Sequence, residues 1–368
     1  MELSTIGSLI SGLATDHPDR DALIFPELDV RYSFAQMDVL STNIAQNLYG
    51  MGFRKGDRFA VWANNIPEWV LLQFGTAKIG VVLLTVNTGL RRKELEYVLS
   101  QSEFKGLAMV REFGEVNFLE EFEAIRANLP ELEHVFMLPD DGDRLVRPTA
   151  GALPDIPLDP DDCINMQYTS GTTGFPKGVM LSHNNILRNA MDLGDRLAMS
   201  SSDVLCLTVP LFHCFGCVIG VLGAYTHAST IVALTKFQPL EVLRAVETCG
   251  CTILYGVPAM FIAELNHPEF EKFDLTTLRG GIMAGSPCPR EVMKDVIVRM
   301  GASEMTIAYG LTEASPGVTM TFPDDSLDMR VGTVGTALPD VDVRIVDPSS
   351  GADVPTGQEG ELITRGTT

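Results

Sequence analysis

The chain has 368 residues, 45% of them hydrophobic, and a formal net charge of −21, so it can bury a large core and by length forms two or more subdomains. So acidic a chain is excluded as a nucleic-acid binder, because phosphate backbones are held by Lys and Arg surfaces, and any phosphorylated ligand would need local cations, a divalent metal included. Seven scattered cysteines and the absence of a signal-peptide pattern point to a reduced, cytoplasmic setting.

The first predicted element is a helix over Ile6–Asp16. Arg31-Tyr32-Ser33 leads into Met37, Leu40, Ile44 and Leu48, spaced as one helix face with Ser33 as its cap, and Gly50 and Gly52 end it. Arg58–Ala63 reads as a strand, Pro67–Ile79 as a helix opened by its proline, and Val81–Val86 as an apolar strand of the kind buried in parallel sheets. A helix over Lys93–Ser100 and a strand over Gly106–Val110 repeat the alternation. This is βαβ wiring, and it predicts an α/β fold with doubly wound sheets. The segment from Leu129 to Asp162, rich in Pro, Asp and Gly, reads as a bridge, placing domain boundaries at 1–160, 161–329 and 330–368.

The loop Tyr168-Thr169-Ser170-Gly171-Thr172-Thr173-Gly174-Phe175-Pro176-Lys177-Gly178 gathers glycines, hydroxyls and a lysine in one place. Glycines let backbone N–H groups approach an anion, the hydroxyls of Thr169, Ser170, Thr172 and Thr173 add uncharged donors, and Lys177 adds a point charge. The loop therefore reads as a phosphate cradle. It is not a Walker loop, which ends in Gly-Lys-Ser/Thr, whereas here Pro176 precedes the lysine and Gly178 follows it.

Asp203–Val209 reads as a strand running into Pro210-Leu211-Phe212-His213-Cys214-Phe215-Gly216. The apolar run Val204–Tyr225 is long enough to raise a membrane span, but Pro210, His213 and the glycines at 216, 220 and 223 break it into strand, turn and helix. No transmembrane segment is predicted. Cys214 and Cys217 stand two residues apart without a second pair at zinc spacing, so they read as small buried hydrophobes. A helix over Lys236–Cys249 and a strand over Cys251–Gly256, ending at Val257-Pro258, follow. Leu278–Pro287 is a strand entering a glycine turn, and Thr306–Ala308 is a strand entering Tyr309-Gly310-Leu311-Thr312-Glu313. That last block offers an aromatic face for adenine, a hydroxyl for the α-phosphate or a carboxylate, and an acid for magnesium. From Arg330 onward, short strands alternate with turns.

The run YTSGTTGFPKGVMLSH resembles the phosphate loop of the adenylate-forming enzymes, the superfamily of acyl-CoA synthetases, aryl-CoA ligases, adenylation domains and firefly-type luciferases, and YGLTE resembles its second hallmark. The resemblance implies two sheets layered with helices as αβαβα, closed by a small β-barrel subdomain after residue 330. It implies that ATP, magnesium and a carboxylic acid give an acyl-adenylate, with coenzyme A as the acceptor. ATP would then be held by Thr169, Ser170, Gly171, Thr172, Thr173, Gly174, Lys177, Gly285, Ser286, Pro287, Tyr309, Gly310, Leu311 and Thr312. Lys177, Thr312 and Glu313 would act in catalysis, with Glu313 on the metal. Phe212, His213, Gly216, Val257, Gly281 and Ala284 would form the acyl pocket.

Amino-acid-activating relatives carry an aspartate near Phe212-His213-Cys214, and none stands there, which implies an apolar acid. PLFHCFG and NTGLRRKELEYVL look most like the medium- to long-chain acyl-CoA synthetase branch, while Arg91-Arg92-Lys93 within it reads as a solvated helix start. An aryl-acid or carrier-loading enzyme, a non-catalytic adenylate-binding module and a homodimer stay open. The family's larger domain is covered and its mobile C-terminal domain is not, so the chain is expected to be a fragment that turns over poorly alone.

Overall fold

The computed structural model describes residues 5–149, 151–169 and 176–366. The helix Ile6–Asp16 starts on a Thr5–Ser8 capping box, and its buried Ile6, Leu9, Ile10 and Leu13 face the core. Two strands that the sequence did not disclose come next, β1 (Asp21–Phe25) and β2 (Val30–Ser33), paired antiparallel. Ser33 caps the helix Phe34–Gly50 as expected. β3 (Arg58–Trp62), the helix Pro67–Ala77, β4 (Val82–Thr85), the helix Arg92–Ser102 and β5 (Gly106–Val110) follow the predicted alternation.

The bridge anticipated between Leu129 and Asp162 is not a plain linker. After a small hairpin of β6 (Glu112–Phe113) and β7 (Val116–Asn117), it contains β8 (His134–Leu138) and the short helix Gly142–Val146. β9 (Cys163–Thr169) and β10 (Lys177–Ser182) are antiparallel neighbours flanking the phosphate loop, and Ser182 caps the helix His183–Arg196. The apolar run is divided at Pro210 and His213, as expected, into β11 (Val204–Leu207) and a π-helix at Phe215–Leu222 that runs on into the helix Gly223–Thr226; Gly216, Gly220 and Gly223 lie inside this helical stretch and do not break it. Then come β12 (Thr230–Ala233), β13 (Ile253–Gly256), β14 (Gly280–Ala284), β15 (Glu304–Gly310), β16 (Gly317–Met320) and β17 (Thr336–Ala337), with helices Pro239–Cys249, Pro258–Leu265 and Arg290–Arg299 between the parallel strands. β15 runs two residues beyond the predicted end at Ala308.

The strands form a nine-stranded sheet in the order β17-β16-β15-β14-β13-β11-β12-β1-β2 and a six-stranded sheet in the order β10-β9-β4-β3-β5-β8. Both are mixed: parallel at the centre, antiparallel towards β2, β10 and β16–β17. Alternation along each strand of the larger sheet assigns its two faces. Leu205 and Leu207, Ile231 and Ala233, Ile253 and Tyr255 join the core shared with the smaller sheet. Cys206, Val232 and Leu254 between them join a second core under the outer helices.

The predicted cut at 160/161 is overturned by this wiring. β1 and β2 belong to the larger sheet although they precede the cut, and β9 and β10 belong to the smaller sheet although they follow it. After residue 330 the described chain first adds β17 to the larger sheet and then forms one antiparallel ribbon, β18 (Val341–Val346) with β19 (Glu361–Gly366). Two strands do not close a barrel. Among the described residues no helix is long and apolar enough to cross a membrane.

Candidate functional site

The carboxyl ends of β4, β9, β14 and β15 and the loop leaving β11 surround one cavity of about 550 Å³. Parallel strands direct their following loops to the same edge of a sheet, which is why segments distant in sequence meet here. β9 delivers Thr169, and β15 delivers Tyr309 and Gly310 ahead of the 3₁₀ turn Thr312–Ala314. The Thr169 Oγ1 donates to Glu313 Oε1 over 3.1 Å, tying the base of the phosphate loop to the second motif. Tyr309 and Leu311 are both exposed towards the opening. Gly310 is required by close approach: a Cβ there would lie 1.9 Å from the Pro316 carbonyl oxygen. Gly285, at φ +82°, turns the chain out of β14 where an L side chain would be strained.

Deeper in, the walls are Phe212, Phe215, Ile219 and Ala284. His213 faces the open space, and its Nδ1 accepts a hydrogen bond from the Phe215 N–H at 3.1 Å. Although the side chain is exposed to the cavity, partial desolvation by the surrounding walls disfavours its charged form and lowers its pKa, so the imidazole is neutral near pH 7. Cys214 is buried behind it. Its thiol donates to Gln167 Oε1 at 2.9 Å and lies within reach of the Thr312 hydroxyl, and burial pushes its pKa up to about 11. Gln167 Nε2 in turn bonds Asn165 Oδ1 at 3.0 Å and Cys217 Sγ at 3.3 Å. This buried network fastens the strand that feeds the phosphate loop to the π-helix that walls the cavity. The two cysteines are thus unreactive packing groups with polar handles. Among the described residues no cluster of three His, Cys, Asp or Glu could hold a metal.

Of the residues expected here, Thr169, Phe212, His213, Ala284, Gly285, Tyr309, Gly310, Leu311, Thr312 and Glu313 line this cavity. Ser170, Gly171, Thr172, Thr173 and Gly174 lie outside the described residues. Lys177 opens β10 opposite Thr169 in the ladder and is exposed, while its neighbour Pro176 is on the cavity wall. Gly216, Val257, Gly281, Ser286 and Pro287 are off the wall. Gly216 and Gly281 are glycines for packing reasons instead: a Cβ would meet the Pro210 carbonyl oxygen at 2.2 Å and the Leu254 carbonyl oxygen at 1.9 Å. Val257 sits behind Gly285, its Cγ1 at 3.1 Å from where a Cβ would be.

The wall also holds residues that the sequence reading missed, namely Thr85, Asn87, Leu90, Glu94 and Val98. Their spacing of four from Leu90 to Val98 was the available signal for one helix face. The basic cluster Arg91-Arg92-Lys93 beside them is exposed, with Arg92 paired to Glu121, as a solvated helix start should be.

The sequence profile of the family described as AMP-binding enzyme matches residues 13–368. A Bacillus subtilis protein named as an acyl-CoA synthetase, YngI, is 45% identical over 99% of this chain and 71% of its own length. The mitochondrial medium-chain acyl-CoA ligase ACSF2 of Danio rerio is 37% identical over all of this chain and 65% of its own length. The chain thus spans about two thirds of the length of these curated relatives. Among solved structures, the inhibitor-bound N-terminal domain of FACL13 from Mycobacterium tuberculosis superposes with a TM-score of 0.90 at 29% identity, covering 99% of this chain and 89% of that one. With both signature motifs meeting at one cavity and the profile running over nearly the whole chain, the protein belongs to the AMP-binding enzyme family.

Proposed function

We propose that this chain is the nucleotide- and acyl-binding part of an AMP-forming acyl-CoA synthetase acting on an apolar, medium- or long-chain carboxylic acid. The observation that carries the reading is the Thr169–Glu313 hydrogen bond at the mouth of a cavity whose inner wall is Phe212, Phe215, Ile219 and Ala284. A polar rim suited to phosphates and a greasy interior suited to a hydrocarbon tail meet within one space. The relatives named as acyl-CoA ligases support the same reading.

In the first step a carboxylate oxygen attacks the α-phosphorus of ATP in line. The bond from that phosphorus to the bridging oxygen breaks, and pyrophosphate leaves. In the second, the thiol sulfur of coenzyme A attacks the acyl carbon, AMP leaves with its oxygen, and the thiol proton passes to solvent. Both steps bring anions together, so catalysis is positioning and charge stabilisation. Thr312 would orient the reacting carboxylate or the α-phosphate, Tyr309 would stack on adenine, and Lys177 with the loop hydroxyls would take the departing pyrophosphate. Neutral His213 would face the acyl group without adding a charge to an apolar tunnel.

The resemblance implies a magnesium ion, and the donor set fits one. Magnesium favours hard oxygen ligands and commonly takes one or two carboxylates together with substrate phosphates and water. The Glu313 carboxylate is exposed, with one oxygen held by Thr169. Bound there, the ion would neutralise phosphate charge.

The test is ATP–pyrophosphate exchange by a full-length form with octanoate, benzoate and cinnamate. Exchange with octanoate above the aryl acids is expected. Preference for benzoate or cinnamate would move the assignment to aryl-acid activation, and no exchange with any acid would sink the catalytic reading.

A further inference from the structure

A second cavity, of about 530 Å³, lies away from the first. It opens where the carboxyl ends of β3, β5 and β8 meet the β1–β2 hairpin and the segment leaving β12. In the smaller sheet β3 stands between β4 and β5, so the connection leaving β3 crosses to one side and the connection leaving β5 to the other. That reversal is a topological switch point, and in open α/β sheets ligands bind in the crevice beyond the strand ends at such a point. The first cavity draws on β4 and β9 of this sheet, not on β3 and β5. The switch point of the smaller sheet is therefore a cavity with no part in the chemistry above.

The lining states what would fit. Its body is apolar, with Val30, Ile66, Val110 and Leu138. Three of its side chains already spend donors on the protein, which leaves the Tyr32 hydroxyl. Asn64 Nδ2 donates to the Thr235 carbonyl at 3.1 Å, Thr235 donates its hydroxyl and its N–H to Glu27 at 2.7 and 2.8 Å, and Arg111 is held by Asp140 at 2.9 Å. Acceptors remain. The carboxyl of Glu68, in the first turn of the helix Pro67–Ala77, makes no ion pair among the described residues. Burial raises its pKa, and burial first and the Glu68 charge second raise that of Tyr32 on the same wall. Glu112, exposed at the rim beside the Arg111–Asp140 pair, adds negative potential. A hydrocarbon with a cationic donor at one end complements the apolar body and the Glu68 carboxyl, whereas a carboxylate beside Glu68 would meet an uncompensated acid.

We propose that this second cavity binds a small amphipathic amine, with its ammonium on the Glu68 carboxylate and its hydrocarbon against Val30, Ile66, Val110 and Leu138. The experiment is calorimetric titration of the whole protein with n-hexylamine, n-hexanol and hexanoate, in the presence and absence of ATP. Hexylamine should bind saturably at one site, with or without ATP. Hexanol should bind it more weakly by roughly tenfold, the worth of a charge-assisted hydrogen bond. Glu68→Gln, close in shape, should weaken hexylamine by a similar factor while the melting temperature stays within a few degrees. Val110→Trp, which fills the space, should remove binding, and hexanoate bound elsewhere should be indifferent to both changes. Absence of saturable hexylamine binding, its displacement by ATP, hexanol binding as tightly as the amine, or full binding by a folded Glu68→Gln protein would each overturn the proposal. Should Val110→Trp fail to fold, the Glu68→Gln comparison still decides.

Discussion

Thr169 and Glu313 are 144 positions apart in the chain and share one hydrogen bond. Glu313→Gln keeps an oxygen for that bond and removes the charge, so ATP–pyrophosphate exchange should fall by roughly 10- to 100-fold and recover in part as magnesium is raised. Its melting temperature should not move, because the side chain is exposed. A variant with full exchange at low magnesium would end the metal role. Two buried groups outside the site make pH predictions of opposite sign. Glu264 is buried with Oε2 unpartnered, and desolvation holds its pKa well above the usual carboxylate value. The folded state then keeps a proton that the unfolded state loses, so stability falls as pH rises above about 4.5. Glu264→Leu should flatten that slope and stabilise by about 1–3 kcal/mol, read from urea unfolding at several pH values. His183 is the mirror case. Burial lowers its pKa to about 4 from an ordinary 6.5, and its Nδ1 accepts the Ile6 N–H at 3.1 Å. The unfolded state takes up a proton first, so this contribution is present above about pH 6.5 and is lost as pH falls towards 4. In His183→Gln the acid-side slope should shrink, and an unchanged slope would assign it to other groups.

Among elements, the turn after β3 does more than connect. Asn65 is buried and clamps the segment ahead of Phe212 and His213 from both sides: its Nδ2 donates to the Val209 carbonyl at 3.1 Å and its Oδ1 accepts the Leu211 N–H at 2.8 Å. Thr85 at the end of β4 adds a hydrogen bond from its hydroxyl to the Phe212 carbonyl at 2.8 Å. The smaller sheet thereby sets the position of a cavity wall carried by the larger one. Asn65→Ala removes two buried hydrogen bonds and should cost roughly 2–3 kcal/mol in urea unfolding. It should also raise the KM for the acid in the exchange assay more than the KM for ATP, since the freed segment walls the apolar end. Equal effects on both would mean that the loss is global. The π-helix next to this segment is closely packed as well, because Gly216 lets its first turn lie directly on the Pro210 carbonyl. That crossing has no room for a β-carbon.

For the whole molecule, the decisive feature is that the two sheets exchange their terminal strands across the chain. Fragments 1–160 and 161–368 each lack strands needed to complete the sheet that they mostly build. Neither should unfold cooperatively alone, and mixing them should restore a single transition by circular dichroism. A cooperative transition in either fragment by itself would show that the interleaving is dispensable.

Much of the fold is legible in the sequence. The central βαβ alternation, the Ser33 cap, the break of the apolar run at Pro210 and His213 and the two signature motifs are local patterns, and local backbone preference writes them into the chain. β1, β2, β8 and the partition of strands between sheets were hidden, because short apolar runs look alike whichever sheet they join. So was the stretch of cavity wall formed by Thr85, Asn87, Leu90, Glu94 and Val98. The sequence by itself determined the two signature motifs and which helices and central strands form. Only tertiary structure decided that Leu90, Glu94 and Val98 face the same space as Thr312, and that Gly216 and Gly281 serve packing and do not line the cavity. The physical reason is that a strand's partners and a loop's direction are settled by long-range hydrogen bonding and shared burial, which no window of neighbouring residues contains.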